Sequence, residues 1–423
     1  MTRRAELRIA ASTALVVVLS LLASCQPRPS WNGSLEDLLL SQPHRFARVM
    51  ANPERHRVQV IYTQIERDEN NRPLFRSFSY RLNDEEYFYP ASTVKLPVAL
   101  LALEKINRLD VPGLDRDTVM LTGADGHGQT EATRDPTAAG GLPSVGHYIR
   151  KVLLVSDNDA FNRLYEFVGQ AEINETLHSR GFEGTRILHR LDLVLDVESN
   201  RHTNPVRFVD GGTILLEQPG AYSPREYRAT EPRRLGRAEV IDGELVPEAK
   251  DFAEKNALPL QDLHDVLKAL LFPGSVPEED RFRLTPEDYR FVYRAMSEYP
   301  AESGIAEYDD PALYPEAYAK YLMFDREEPI PPNIRIFNKI GSAYGFLTDA
   351  AYVVDFDNGI EFILAATVYT NANETFNDGN YEYDEIGYPF LRELGKAIYE
   401  IELERERRNA PDLDRFRLAP GGL

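Results

Sequence analysis

Residues 89–106 read Tyr89-Pro90-Ala91-Ser92-Thr93-Val94-Lys95-Leu96-Pro97-Val98-Ala99-Leu100-Leu101-Ala102-Leu103-Glu104-Lys105-Ile106. From Ser92 onward the apolar spacing is helical. Ser92 and Lys95 stand three apart, which on a helix places both on one face, about 5–6 Å apart at Cβ. Lys95 is then positioned to take the serine proton. That role needs a neutral amine, and burial among apolar neighbours or a second nearby cation shifts a lysine in this direction. Pro97 removes one helical hydrogen bond, a loss tolerated in the first turns.

Two further motifs follow in order. Ser156-Asp157-Asn158 closes the apolar run 152–155 and predicts a loop breaking the helical pattern of residues 145–168. There Ser156 is a candidate to pass a proton to a leaving nitrogen, Asn158 to orient a substrate amide, and Asp157 to brace the loop from behind. Lys339-Ile340-Gly341-Ser342 lies in a β-rich segment. Lys339 supplies positive charge near Ser156, and glycine at 341 lets a substrate backbone lie close to the strand. The backbone amides of Ser92 and Ser342 are oxyanion-hole candidates. One SxxK or KxG triplet carries little information alone. Their order, their separations and their fit to a helix start, a post-helix loop and a strand together point to acyl transfer through serine.

Outward from these motifs, residues 35–50 predict an amphipathic helix. Residues 57–67 and 74–82 alternate apolar and polar positions about Asp68-Glu69-Asn70-Asn71-Arg72-Pro73, a strand-turn-strand pattern. Helices are expected at 261–272 and 285–297, the second opened by Thr285 with Glu287 and Asp288 in its first turn. Residues 205–259 show little helical periodicity and are punctuated by Gly211, Gly212, Pro219, Gly220 and Pro224. Strands are expected at 334–340, 348–356 and 359–370, and a last helix at 389–407. Strands thus come from both ends of the chain and enclose a helical middle.

Arg3, Arg4 and Arg8 precede an apolar stretch, 9–23, that is shorter than the roughly 20 residues of a membrane-spanning helix. Residues 1–24 therefore read as an export signal. Leu22-Ala23-Ser24-Cys25 resembles a bacterial lipobox, in which the cysteine is acylated and becomes the new N-terminus. Residues 25–33, with Pro27 and Pro29, follow as a lipidated tether. Gln26 after the cysteine favours the outer membrane. The expectation is an exported lipoprotein facing the periplasm or cell surface and held to the membrane by its lipid.

Cys25 is the only cysteine, so the processed chain has no thiol for disulfides, redox chemistry or thiolate metal sites. The formal charge of −20 becomes −22 without residues 1–24. This balance excludes nucleic acid as a partner. The eight histidines form no HExxH or other close metal pair, so no metal is expected. The acidic stretch 378–385, with Tyr381 and Tyr383, reads as a solvated loop; Trp31 and the tyrosines of 308–321 read as packing residues.

On Tyr89 to Lys95, on Leu154-Val155-Ser156-Asp157-Asn158-Asp159-Ala160 and on Lys339-Ile340-Gly341-Ser342, the chain resembles the class A serine β-lactamases and the related penicillin-recognising DD-peptidases. The likeness runs over residues 35–404. It implies an α+β fold of β-lactamase/transpeptidase type: a five-stranded antiparallel sheet flanked by helices, an all-helical lobe, and the site between them. Within a domain at 34–412, the sheet lobe falls at about 34–90 and 331–412. The helical lobe falls at about 91–330, with an insertion within 206–330.

The resemblance implies hydrolysis of a β-lactam, or of a peptidoglycan-derived substrate, without a cofactor. Ser92 attacks, Lys95 is the base, Ser156 shuttles the proton, and water releases the acyl group. A DD-peptidase or other cell-wall amidase or esterase is the alternative within this chemistry; a non-catalytic envelope-binding module is the alternative outside it. The chain departs from the family pattern at two positions. Arg190-Leu191-Asp192 begins like the family's Ω-loop, but Leu195 occupies the place of its deacylating glutamate, and Thr203-Asn204-Pro205 arrives early. Asp192, Asp196 and Glu198 are substitutes for that glutamate, or acids that brace the turn through Arg190 or Arg201. Where the family holds a substrate carboxylate with arginine, this chain has Thr348-Asp349.

Overall fold

Residues 346–369 are apolar on both strand parities, which requires a sheet covered on both faces. The computed structural model describes residues 31–229 and 232–417 and contains that sheet. The signal, Cys25 and most of the tether lie outside the described residues. In chain order the elements are α1 (Leu35–Ser41), α2 (Pro43–Met50), β1 (Gln59–Arg67), β2 (Pro73–Tyr80), α3 (Lys95–Leu109), β3 (Val119–Thr122), α4 (Val145–Leu154), α5 (Asn158–Val168), α6 (Gln170–Ser179) and α7 (Val197–Arg201). There follow β4 (Val206–Asp210), β5 (Thr213–Gln218), β6 (Arg234–Leu235), β7 (Ala238–Ile241), β8 (Glu244–Val246), β9 (Lys250–Asp251), α8 (Leu260–Leu271) and α9 (Pro286–Ser297). The chain closes with β10 (Ile334–Ala343), β11 (Phe346–Asp355), β12 (Ile360–Tyr369), β13 (Thr375–Phe376) and α10 (Tyr388–Glu404).

The main sheet has the order β10-β11-β12-β1-β2, with every pairing antiparallel. Its two hairpins at the chain ends meet where β1 pairs with β12. On one face α10 packs on β12 and α2 packs on α10, joined by the ring contact of Phe46 with Phe390. On the other face α8 crosses β12, β1 and β11, and α9 covers β10. Beyond α9, helices α3, α4 and α5 pack on one another around the buried stem of α3.

Several predicted boundaries are corrected. Residues 35–50 form two helices, because Pro43 starts a second helix after the non-helical Gln42. The 261–272 helix, assigned above to the helical lobe, lies against the sheet; its apolar face is sheet-facing core. The domain does not stop at 412. Leu413 and Phe416 are buried, and the Phe416 ring joins Phe272, Tyr293, Phe337 and Tyr352 between sheet and helices. Among the described residues the chain from Leu35 onward forms one compact unit.

Other readings hold locally. Thr285 and Asp288 exchange the two bonds of a capping box at the start of α9. The segment without helical periodicity yields the β4–β5 hairpin, whose turn is Gly211-Gly212, both at positive φ. β3 joins that hairpin as a third strand, missed because its four residues are too short to show a period. Among the described residues no helix is long and apolar enough to cross a membrane.

Candidate active site

Ser92 lies in a 3-10 turn, Ala91–Val94, that runs directly into α3 at Lys95. In a 3-10 turn residues three apart eclipse, so Ser92 and Lys95 project together. Ala91 at φ 47° makes the sharp entry, and both the amide and the hydroxyl of Thr93 donate to the Pro90 carbonyl, at 3.1 and 2.7 Å. Ser92 remains partly exposed whereas Lys95 is fully buried.

Lys95 Nζ donates to the Ser156 carbonyl and to Asn158 Oδ1 at 2.6 Å. A neutral amine has two N–H groups and one lone pair. Both N–H groups are thus spent, and the lone pair is left for a hydroxyl. Burial holds this amine well below the usual lysine range, and the neighbouring Lys339 pushes the same way against Asp157 and Asp192. The Ser156 hydroxyl lies between the two lysines, 3.4 Å from Lys95 Nζ and 2.8 Å from Lys339 Nζ. Burial lowers Lys339 to about 7; Lys320 adds to that shift and Asp349 opposes it. The three motifs therefore meet as one chain of donors and acceptors, Lys95 to Ser156 to Lys339.

The loop carrying Ser156 is tightly held. Ser156 adopts φ 61°, a left-handed conformation that a serine reaches only when its surroundings fix it. Asp157 caps α5 by accepting from the Ala160 amide at 2.7 Å, and it pairs with Lys151 at 3.3 Å. Lys151 in turn pairs with Asp135 at 3.0 Å, and Asp135 also accepts from the Thr137 amide and hydroxyl. Asp135 and Lys151 escaped the sequence reading because no motif joins them.

Gly341 is where the strand meets the 3-10 turn that carries Ser92. A Cβ there would stand 3.1 Å from Thr93 Cγ2 and 3.3 Å from the Ser92 nitrogen, and closer still to the Pro90 carbonyl. On β10, the carbonyls of Ile334, Ile336 and Ile340 accept from Tyr299, Lys320 and Lys339 side chains, at 3.1, 2.9 and 3.0 Å. By strand alternation the Ser342 amide leaves this same free edge, as an oxyanion donor beside Ser92 must. The Ser342 side chain lies near Tyr383, whose hydroxyl accepts from the Gly345 amide at 2.8 Å. Tyr383 is thus a turn brace inside the stretch read as a solvated loop.

Asp349 has a different task from substrate binding. It is fully buried and accepts from Asn338 Nδ2 at 2.8 Å and from the Tyr321 and Leu322 amides at 2.9 and 3.3 Å. Lys320 completes the cluster through Met296 and Ile336 carbonyls and Asn338 Oδ1. Asp349 therefore fastens the insertion to the sheet, on the face opposite Lys339.

The acids of the 190–203 loop divide as follows. Asp196 caps α7 through the Ser199 amide at 2.7 Å. Glu198 pairs with Arg201 at 3.2 Å. Only the charge of Asp192 reaches Lys95. Arg190 is paired with none of them. Its buried guanidinium meets the buried Glu166 on α5, and donates to the Ser199 and His202 carbonyls at 3.1 and 2.7 Å. Leu195 packs towards Gly128 on the opposite loop. Among the described residues no cluster of three or more His, Cys, Asp or Glu side chains is suited to a metal.

A partly exposed serine, a buried amine, a second serine hydroxyl and an edge-strand amide thus come together between a sheet and a helical layer. The chain belongs to the β-lactamase enzyme family, whose sequence pattern it matches over residues 44–401. Among solved structures it is similar to a β-lactamase from Sphaerobacter thermophilus, at 12% identity over 85% of this chain and 95% of that one, TM-score 0.47. It is also similar to PBP-A, at 16% identity over 88% and 97%, TM-score 0.47. A third is the chromosome-encoded β-lactamase of Vibrio parahaemolyticus, at 14% identity over 86% and 97%, TM-score 0.46. No curated protein matches the chain.

Removing one partner of a buried ion pair leaves the other charge uncompensated, at about 3–5 kcal/mol. Glu166→Gln is therefore expected to lower unfolding free energy by that order in a urea titration, and to loosen the loop that Arg190 ties.

Proposed function

We propose that this protein is a class A-type serine β-lactam hydrolase that forms an acyl-enzyme on Ser92 and releases it slowly. The observation that carries the reading is the Lys95–Ser156–Lys339 chain, with the amine lone pair of Lys95 left for a hydroxyl. Lys95 takes the Ser92 proton as Ser92 Oγ bonds to the lactam carbonyl carbon. The amides of Ser92 and Ser342 hold the developing oxyanion. The proton then passes through the Ser156 hydroxyl to the lactam nitrogen as the C–N bond breaks. Water attacks the ester in the second half, and Ser92 leaves with a proton.

Slow release follows from the loop. Leu195 offers no base, and Asp196 and Glu198 are engaged elsewhere. Among the described residues Asp192 is the acid of this loop held by neither a helix cap nor an ion pair, so it is the group assigned to the water. Export and lipid attachment at Cys25 belong to the same reading, supported by the arginine-led apolar segment and by the single cysteine at its end.

Incubation with a penicillin is expected to give a mass adduct on the protein that decays with release of opened product. Ser92→Ala should give neither adduct nor product; an adduct formed without Ser92 would overturn the assignment.

The pH profile has a definite shape. Acylation needs Lys95 neutral and Lys339 charged. The rate should climb as pH passes the lowered Lys95 value and fall as Lys339 deprotonates near 7. In Lys339→Arg the cation persists at all working pH, so the alkaline fall should disappear from a kcat/KM profile.

For the lipid, Cys25→Ala expressed in a bacterial host should move the protein from the membrane to the soluble fraction. Unchanged membrane association would dismiss the anchor.

A further inference from the structure

Residues 298–308 begin the long connection from α9 to β10, and they touch both elements that bring Ser156 and Lys339 together. On the β10 side, Glu302 receives both arms of the Arg335 guanidinium at 2.8 and 2.7 Å, four residues before Lys339. A forked pair of this kind fixes an orientation as well as a distance. Glu302 also accepts from the Tyr299 amide at 3.1 Å, and the Tyr299 hydroxyl donates to the Ile334 carbonyl at 3.1 Å. On the α4 side, Arg150 donates to the Ser303 carbonyl at 2.5 Å and pairs with Glu298 at 3.5 Å.

Between these ties lies a small apolar cluster separate from the main core. Leu154, the last residue of α4, is buried against Ile305 and Tyr308, with Val155 and Tyr314 packed on them. The Tyr308 amide donates to the Ile305 carbonyl at 2.8 Å across a 3-10 turn, in which residues three apart project together. Ile305 and Tyr308 therefore meet Leu154 as one surface. The Tyr308 ring is 2% exposed and is held edge-on by Tyr314, with centroids 5.0 Å apart.

Ser156 follows Leu154 and Val155 directly, at φ 61°. A non-glycine residue stays in that conformation only where its surroundings over-determine it. The Asp157 cap and ion pair hold the loop after Ser156, and the Tyr308 cluster holds the chain before it.

We propose that Tyr308 is a positioning residue, which through Leu154 and Val155 keeps the Ser156 hydroxyl on Lys339 while the Glu302–Arg335 pair locks the same segment to β10. The inference rests on the relay role given to Ser156 in the acyl-transfer reading. Loss of the ring lets the loop swing away from the strand, so the cost falls on the step in which the proton reaches the leaving nitrogen.

The test compares two acyl donors on one enzyme. Penicillin expels a lactam nitrogen that needs the relayed proton, whereas p-nitrophenyl acetate expels a phenolate that leaves without one. Tyr308→Ala is expected to slow acylation of Ser92 by penicillin about tenfold and to leave acylation by the ester within about twofold of wild type. Tyr308→Phe, which keeps the ring, should match wild type with both donors. Ile305→Ala, a smaller cut in the same cluster, should show the same selective loss, and it carries the comparison if Tyr308→Ala does not fold. Amide hydrogen exchange read by mass spectrometry should be faster across residues 155–160 in Tyr308→Ala and unchanged in α10, on the other face of the sheet. Equal losses with both donors, an undiminished penicillin rate, or unchanged exchange across the loop would each overturn the proposal. A wild-type protein that takes up no penicillin sinks the proposed function alone, and exchange across the loop then decides whether Tyr308 holds it.

Discussion

The constraint behind the whole site is the burial of the Lys95 amine. A charged ammonium taken out of water loses its hydration, and only close acceptors or loss of the proton restore the balance. Here both occur. The Ser156 carbonyl and Asn158 receive its N–H groups, while Lys339 opposes its charge. Ser156 turns its carbonyl and its hydroxyl to the two lysines from a left-handed backbone, and Asp157, Lys151 and Asp135 hold that loop from outside. A basic serine site is thus the inner end of an ion-pair chain that reaches the 123–142 loop.

The insertion changes the meaning of a familiar position. Asp349 stands where a cleft-facing cation is expected from the family likeness, yet it gathers the 320–322 backbone and Asn338 into a buried cluster with Lys320. A carboxylate that accepts three N–H bonds cannot also greet a substrate. The extra chain between α9 and β10 is therefore part of the sheet's own support.

The sequence made legible what short-range chemistry dictates. The Ser92, Ser156 and Lys339 motifs fall on a helix start, a loop and an edge strand because glycine, proline and apolar spacing mark those places within a few residues. The capping box at Thr285 was visible for the same reason. What stayed hidden depends on pairing across the chain. Glu166 looks like any acid on a helix until Arg190, 24 residues later, folds over it. Pro43 shows why a sustained apolar stripe at 35–50 is two helices. α8 has the pattern of any amphipathic helix, and nothing in that pattern says whether its apolar face meets a sheet or a bundle.

The side-chain donors along β10 set the length of sheet edge that any substrate can use. Tyr299 and Lys320 seal the edge at Ile334 and Ile336, and Lys339 takes the carbonyl of Ile340. At about 3.4 Å per residue, the stretch from Ile340 to Ala343 offers roughly 10 Å. The cleft acts as a short ruler: an extended peptide or peptide mimic registers against the Ser342 end of this edge, and the bonded carbonyls of Ile334 and Ile336 blunt the other end against a neighbouring strand.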